Sequence, residues 1–260
     1  MNTALKNKNL QKVTFIKHWT ENLFSFRIQR PASFKFRSGE FVMIGLANQD
    51  GKPILRAYSI ASPSWSEELE FYSIIVKDGP LTSRLKNIIV NDEIILMPKP
   101  TGTLVLDALK PGKRLFLLSS GTGFAPFSSL IREPETFEKF QKVVVTHTCR
   151  TTKELKYSQD VINDALSDEM ISEFISNKLI FYHSTTREDY INKGRITDLI
   201  TSHKLFKDLE IKKICKDDRI MICGSMGLNN DLKDILGNLN LNEGANNNPA
   251  EFVLEKAFVG

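Results

Sequence analysis

Residues 113–126, KRLFLLSSGTGFAP, decide the fold. KRLFLLSS is a nearly unbroken apolar run, the pattern of a strand buried on both faces of a parallel sheet. It leads into GTGFAP, where Gly121 and Gly123 permit a tight turn and Pro126 is tolerated in the first turn of a helix. Strand, glycine turn and helix in that order is the setting of a dinucleotide-phosphate site. The match departs from G-x-G-x-x-G, because Pro126 replaces the third glycine. Three more apolar runs follow, KVVVTHTC (142–149), KLIFYHST (178–185) and RIMICGS (219–225), separated by helical patterns such as YSQDVINDALSDEMISEF (157–174). FVLEKAFVG (252–260) reads as a last strand and a short tail. Strands alternating with helices imply right-handed crossovers and a parallel α/β sheet.

Upstream the rhythm is different. VTFIKHW, LFSFRIQR, EFVMIGLA, RAYSIAS, LEFYSIIVK and DEIILMPK are short, rich in Val, Ile, Phe and Tyr, and separated by Pro, Gly, Asn and Asp turns. They predict a six-stranded antiparallel β-barrel, interrupted by one helix, LTSRLKNI (81–88), capped by Thr82 or Ser83. The change of rhythm at LKPGK places a boundary near residues 107–112, giving units 1–108 and 109–260.

Composition narrows the function. The 260 residues carry 35 Lys plus Arg against 31 Asp plus Glu, a net +4 that is too mild for a general nucleic-acid binder. No apolar run approaches the roughly 20 residues of a membrane helix, and MNTALKNKNL lacks the apolar segment of a secretory signal. A cytoplasmic location is expected. Cys149, Cys215 and Cys223 are dispersed and odd in number, against both a disulfide framework and a cysteine-ligated cluster. The four histidines show no metal-ligand spacing, so no metal is expected and redox chemistry falls to an organic cofactor.

Two elements of the first half suit a flavin. In RAYS, Arg56 and Tyr58 share one face of a strand and Ala57 and Ser59 the other. A guanidinium there can clamp a pyrophosphate and the tyrosine can offer a flat face to an isoalloxazine; an Arg on a solvated rim and a Tyr in a barrel core are the plainer alternatives. GPLTS, starting at Gly79, combines close backbone approach with a helix start that attracts phosphate, or is simply a helix cap. In the second half, an NAD site usually places an acid near the ribose hydroxyl, yet the second strand ends in Arg150 with no acid before Glu154. The third ends STTRED, with Arg187 behind Thr186, and Arg195 follows. Three arginines there suit a 2′-phosphate, hence NADP(H), unless Arg187 pairs locally with Glu188 or Asp189. Cys223 and Gly224 end the fourth strand, where strands deliver residues to a ligand crevice; a buried Cys is otherwise an inert hydrophobe.

Taken together and in order, RAYS, GPLTSRL, GTGFAPFSSLIREPE, CGSM and the EKAFVG ending resemble the bacterial ferredoxin (flavodoxin)–NADP+ reductases of the plant-type reductase superfamily, end to end. The resemblance implies an FAD-binding barrel joined to an NADP-binding α/β domain. It implies that Arg56 binds the FAD pyrophosphate, Tyr58 packs on the isoalloxazine beside Ala57, and Ser59 lies near flavin N5. Ile74, Ile75, Val76 and Lys77, with Gly79, Pro80, Leu81 and Thr82, line the ribityl and phosphate groups. Thr122 sits between flavin and nicotinamide, flanked by Gly121 and Gly123. Arg150, Thr186, Arg187 and Arg195 recognise the adenosine phosphate, and Cys223, Gly224 and Ser225 face the nicotinamide. Ala257 lies by the flavin face, Phe258 packs on FAD, and Val259 and Gly260 follow along it. Ser59, Cys223 and Ala257 are thereby the residues nearest the reacting atoms. The ending departs from the plastid-type pattern, in which an aromatic residue terminates the chain. The implied activity is hydride exchange between NADP(H) and FAD, with electrons passed singly to ferredoxin or flavodoxin in transient, electrostatic contact with a monomer. Lys35, Arg37, Lys52, Lys77 and Lys99 are candidates for that contact. The alternatives are a reductase module for another acceptor and a non-catalytic nucleotide-binding subunit.

Overall fold

The computed structural model describes residues 9–256, so the expectations for Ala257, Phe258, Val259 and Gly260 lie outside the described residues. The first half supplies β1 (Leu10–His18), β2 (Leu23–Gln29), β3 (Phe41–Ala47), β4 (Pro53–Ser59), β5 (Glu68–Ile74) and β6 (Glu93–Leu96). They form the expected six-stranded antiparallel sheet, in the order β4-β3-β6-β1-β2-β5. The sheet curls until its end strands meet. Ala61 N–H donates to Glu70 O at 2.8 Å, and the Tyr58 and Ser73 hydroxyls lie 3.0 Å apart. Between β4 and β5 the barrel is thus joined by isolated bonds, with no ladder among the described residues. Phe24, Phe26, Ile28, Val42, Ile44 and Phe71 fill its core.

The second half supplies β7 (Arg114–Ser120), β8 (Lys142–Cys149), β9 (Leu179–Thr185), β10 (Asp218–Gly224) and β11 (Phe252–Lys256), all parallel, in the order β11-β10-β7-β8-β9. Strand alternation sorts two cores: Leu115 and Leu117 face one, Phe116 and Leu118 the other. The chain enters at β7, moves outward through β8 and β9, then returns to β10 on the opposite side of β7. That reversal is a topological switch point, where ligands of open α/β sheets sit at the carboxyl ends of the strands.

Two helices differ from expectation. Residues 81–88 hold only a single turn, α1 (Thr82–Leu85), with Leu81 rather than Thr82 or Ser83 at its N-cap and no side-chain cap. The Thr82 hydroxyl bonds instead to the backbone of Val76, accepting from its N–H at 3.1 Å. The helical stretch at 157–174 is broken. After α2 (Ala125–Leu130) and α3 (Pro134–Lys139), α4 runs Lys156–Ser167 and α5 Ser172–Ile175. Between α4 and α5 the Asp168 carboxylate accepts the Met170 N–H at 2.8 Å, a local bond that competes with helix continuation. Three helices follow, α6 (Ile196–Thr201), α7 (Lys204–Asp208) and α8 (Met226–Asn238). The LKPGK segment is tied down rather than free: Lys110 N–H donates to Ala250 O, and Arg219 donates to Lys110 O, each at 3.0 Å.

The sheets meet through β5. Its odd positions Leu69 and Phe71 face the first core, while Glu70, Tyr72 and Ile74 face the second half. Tyr72 stacks on Tyr157 of α4 with ring centroids 4.1 Å apart, and Trp19 meets the same ring edge-on at 5.3 Å. The Tyr157 hydroxyl donates to Glu70 at 3.2 Å, and Arg132 pairs with Glu70 at 3.4 Å while donating to Ala61 O at 2.6 Å. Glu133 accepts from Ser38 and Ser64 hydroxyls at 2.7 and 2.8 Å. The side chains of Arg132 and Glu70 are only 18% and 9% exposed, so removing one partner strands a buried charge. Glu70→Ala is expected to cost about 3 kcal/mol of unfolding free energy. Tyr157→Phe, which removes one hydrogen bond, is expected to cost about 1 kcal/mol. Urea unfolding followed by circular dichroism measures both; a Glu70→Ala midpoint equal to wild type would show that the pair does not hold the halves together.

Candidate functional site

At the switch point two short backbone segments touch. β7 ends in a 3-10 turn, Gly121–Phe124, which runs directly into α2 with Pro126 in its first turn. β10 ends at Cys223 and Gly224, and Ser225 caps α8 by accepting from Leu228 N–H at 3.3 Å. A Cβ on Gly123 would lie 2.0 Å from the Cys223 carbonyl oxygen, so only glycine lets the two segments approach. Gly121 adopts φ +53°, and a Cβ there would meet nothing within 4 Å. The turn is therefore tight against β10 and open on its outer side, which fits the phosphate end of a dinucleotide. Thr122 sits half-buried between them.

The predicted arginines converge. Arg187 N–H donates to Arg150 O at 3.0 Å, and Thr186 N–H to Cys149 O at 2.9 Å, so the ends of β8 and β9 lie side by side. Gly194 N–H donates to Thr185 O at 2.8 Å, bringing Arg195 at the start of α6 to the same edge. The alternative of local pairing does not hold. Glu188 accepts from Thr152 N–H and hydroxyl, Asp189 pairs with Lys193, and Glu154 accepts from Arg150 N–H. Arg150, Arg187 and Arg195 are exposed and make no ion pair among the described residues. Three exposed guanidiniums at adjoining strand ends, unpaired among the described residues, have the charge and donors that a dianionic group such as a 2′-phosphate requires.

On the antiparallel sheet, Tyr58 is half-buried, edge-on to Phe71 at 6.2 Å, with its hydroxyl on Ser73. Arg56, on the same face, is exposed and makes no ion pair among the described residues, while Ala57 is exposed and Ser59 half-buried. Ile74, Ile75 and Val76 are half-buried, Lys77 and Pro80 exposed. Leu81 is buried in the first core, and Gly79 packs so closely that a Cβ would meet the Thr82 hydroxyl at 2.4 Å. An exposed guanidinium beside a half-buried aromatic fits an FAD pyrophosphate and ring. Gly79 and Thr82 hold the shape of their own loop through this contact and the Val76 bonds.

Cys223 is fully buried among interdomain apolar side chains, and burial pushes its thiol well up, so it remains protonated. Two residues beside this centre escaped the sequence reading. Glu255 pairs with Cys223 in the β10–β11 register and accepts from the Thr103 N–H and hydroxyl. Burial pushes its carboxyl up despite those donors. Its signal was a carboxylate set inside the apolar run FVLEK. His147 lies in KVVVTHTC, fully buried beneath the Gly121 turn, and burial lowers its pKa to about 4. Its signal was an imidazole in an otherwise apolar strand. Among the described residues no group of His, Cys, Asp and Glu is placed to hold a metal, and no helix is long and apolar enough to cross a membrane.

Comparison with known proteins agrees with the two-sheet fold. Residues 8–106 match the family described as Oxidoreductase FAD-binding domain, and residues 117–234 match Oxidoreductase NAD-binding domain. A flavodoxin/ferredoxin–NADP reductase of Rhodobacter capsulatus is 57% identical over 251 residues, covering 96% of this chain and 93% of the relative. A ferredoxin–NADP reductase of Azotobacter vinelandii is 46% identical over 257 residues, covering 98% and 99%. A ferredoxin NADP+ reductase of Neisseria gonorrhoeae, solved with bound FAD and NADP, superposes with TM-score 0.86 at 27% identity, covering 96% of this chain and 98% of that one. With one sheet matched as FAD-binding, the other as NAD-binding, and near-complete relatives on both sides of the switch point, the chain belongs to the ferredoxin (flavodoxin)–NADP reductase family.

Proposed function

We propose that this chain exchanges a hydride between NADP(H) and FAD and single electrons with ferredoxin or flavodoxin. The observation that carries the choice of nucleotide is the trio of exposed arginines, whose neighbouring acids are each bonded elsewhere. FAD supplies the chemistry of two-electron acceptance and one-electron release. The chain's own residues bind, orient and exclude water. Arg56 takes the flavin pyrophosphate and Tyr58 the ring, with Ala57, Ser59, residues 74–77 and residues 79–82 around them. Gly121, Thr122 and Gly123 seat the nicotinamide end against Cys223, Gly224 and Ser225. Arg150, Thr186, Arg187 and Arg195 hold the 2′-phosphate. Ser59 and Cys223 act by contact and packing, since the buried Cys223 thiol is no nucleophile. We divide the two working units between residues 108 and 109 and place the protein in the cytoplasm, a reducing compartment that suits three free thiols, as a monomer.

The electron carrier docks, in this reading, on exposed lysines in the loops of the antiparallel half. Lys35, Lys52, Lys77 and Lys99 are exposed and without ion pairs among the described residues. Arg37 is withdrawn from that set, being paired with Glu40 at 2.9 Å and Asp107 at 3.6 Å.

Two measurements test the proposal. Anaerobic titration should bleach the flavin band at far lower NADPH than NADH, and Arg187→Ala with Arg195→Ala should lower that preference about tenfold for each charge-assisted hydrogen bond removed. A preference unaltered in the double variant would reject the arginine assignment. Lys35→Glu with Lys99→Glu should raise KM for an acidic carrier several-fold at low salt and little at high salt, because the screening length falls from about 30 Å at 0.01 M to about 3 Å at 1 M. An unchanged KM at low salt would move the docking face elsewhere.

A further inference from the structure

His147 is buried on β8 directly beneath the Gly121 turn, and the reaction as described makes no use of it. Its Nε2 lies 2.9 Å from the Gly121 carbonyl oxygen and its Nδ1 2.7 Å from the Ser158 hydroxyl on α4. The Phe124 ring covers it at 4.9 Å. A ring nitrogen and a carbonyl oxygen approach to 2.9 Å only with a hydrogen between them, so Nε2 carries the proton and donates, with the buried Cys149 sulfur 3.2 Å from the same nitrogen. Nδ1 then accepts from Ser158, whose single hydroxyl proton is drawn from the Leu155 carbonyl, 2.9 Å away.

The consequence lies in the peptide that follows Gly121. In a trans peptide the C=O of one residue and the N–H of the next point in opposite directions. Holding the Gly121 carbonyl inward onto His147 therefore turns the Thr122 N–H away from His147 and the core beneath the turn. Gly121 at φ +53° has no Cβ to resist a peptide flip, and a flip would present a carbonyl oxygen to an anionic ligand. We infer that His147 is a positioning residue: through Gly121 it locks the peptide that offers the Thr122 N–H to the pyrophosphate–nicotinamide half of NADP(H). The inference rests on the NADP(H) reading above and adds a separate claim, because the arginines that grip the adenosine end lie on other bonds.

That separation provides the test. In FAD-loaded protein, dissociation constants for 2′,5′-ADP and for NADP+ are compared among wild type, His147→Leu, His147→Gln and Ser158→Ala, alongside the rate of flavin reduction at saturating NADPH. His147→Leu should leave 2′,5′-ADP binding within twofold, weaken NADP+ about tenfold and slow reduction about tenfold. His147→Gln, which can return an N–H to the Gly121 carbonyl, should recover most of both losses, and Ser158→Ala should fall between. A His147→Leu protein that binds NADP+ and is reduced as wild type overturns the inference. So does an equal loss of 2′,5′-ADP and NADP+ affinity, or a His147→Gln protein as impaired as His147→Leu. If His147→Leu does not fold, wild-type behaviour in Ser158→Ala overturns it. Failure of the NADP(H) reading shows differently, as wild-type protein that does not bind 2′,5′-ADP.

Discussion

The buried carboxylate of Glu70 is the constraint on which the arrangement of the two sheets depends. Removing a carboxylate from water costs several kcal/mol unless donors replace the water. Here the donors are Arg132, just beyond α2, and Tyr157 on α4, both from the second half. Neither reaches Glu70 unless α2 and α4 lie against β5 in one register. Apolar contact among Tyr72, Tyr157, Phe124 and Leu104 supplies most of the drive to associate, but apolar surfaces slide with little penalty. The hydrogen-bonded charge adds direction. Direction matters because hydride transfer needs its two rings within about 3–3.5 Å, a tolerance that loosely docked sheets would not meet.

The switch point is narrowed by backbone rather than by side chains. Gly123 against the Cys223 carbonyl sets how closely the ends of β7 and β10 approach, and this holds whatever is bound. Charge is sorted in a comparable way around the crevice. The acids next to the arginines are drawn into bonds with Thr152, Lys193 and the Arg150 backbone, and the guanidiniums stay in water. An acid near a guanidinium in the sequence is thus a poor guide to its partner; what decides is whether that acid has been claimed by another loop.

This bears on how much the amino-acid sequence reveals. The apolar runs of the second half place all its strands, because a buried parallel strand has one pattern that survives tertiary context. The antiparallel strands follow from alternation and turn residues. LTSRLKNI misleads because its capping hydroxyl at Thr82 has a better use on Val76. The 157–174 stretch misleads because Asp168 offers a backbone N–H a local carboxylate. The glycine turn and the arginines are legible as types at the ends of strands. Glu70, Glu255 and His147 are not, since each acts through partners 87, 152 and 26 residues away, a proximity that only the folded sheets create.

Three titratable groups buried beside the switch point share a bias toward the neutral form. The Cys223 thiol is pushed up by burial, His147 is held neutral, and the Glu255 carboxyl is raised. The cationic groups assigned to the ligands stand at the two extremities, Arg56 on one sheet and the arginine trio on the other. In a medium of low dielectric a lone charge beside the rings would act strongly and unscreened on a transfer that moves charge from one ring to the other. Its protonation would also tie that transfer to pH. Placing the guanidiniums at the solvated ends lets them grip anionic groups while contributing little field at the centre. In the proposed reading binding and transfer are thereby separated: exposed guanidiniums on the two sheets take the anionic groups, and the sterically fixed strand ends at the switch point align the rings.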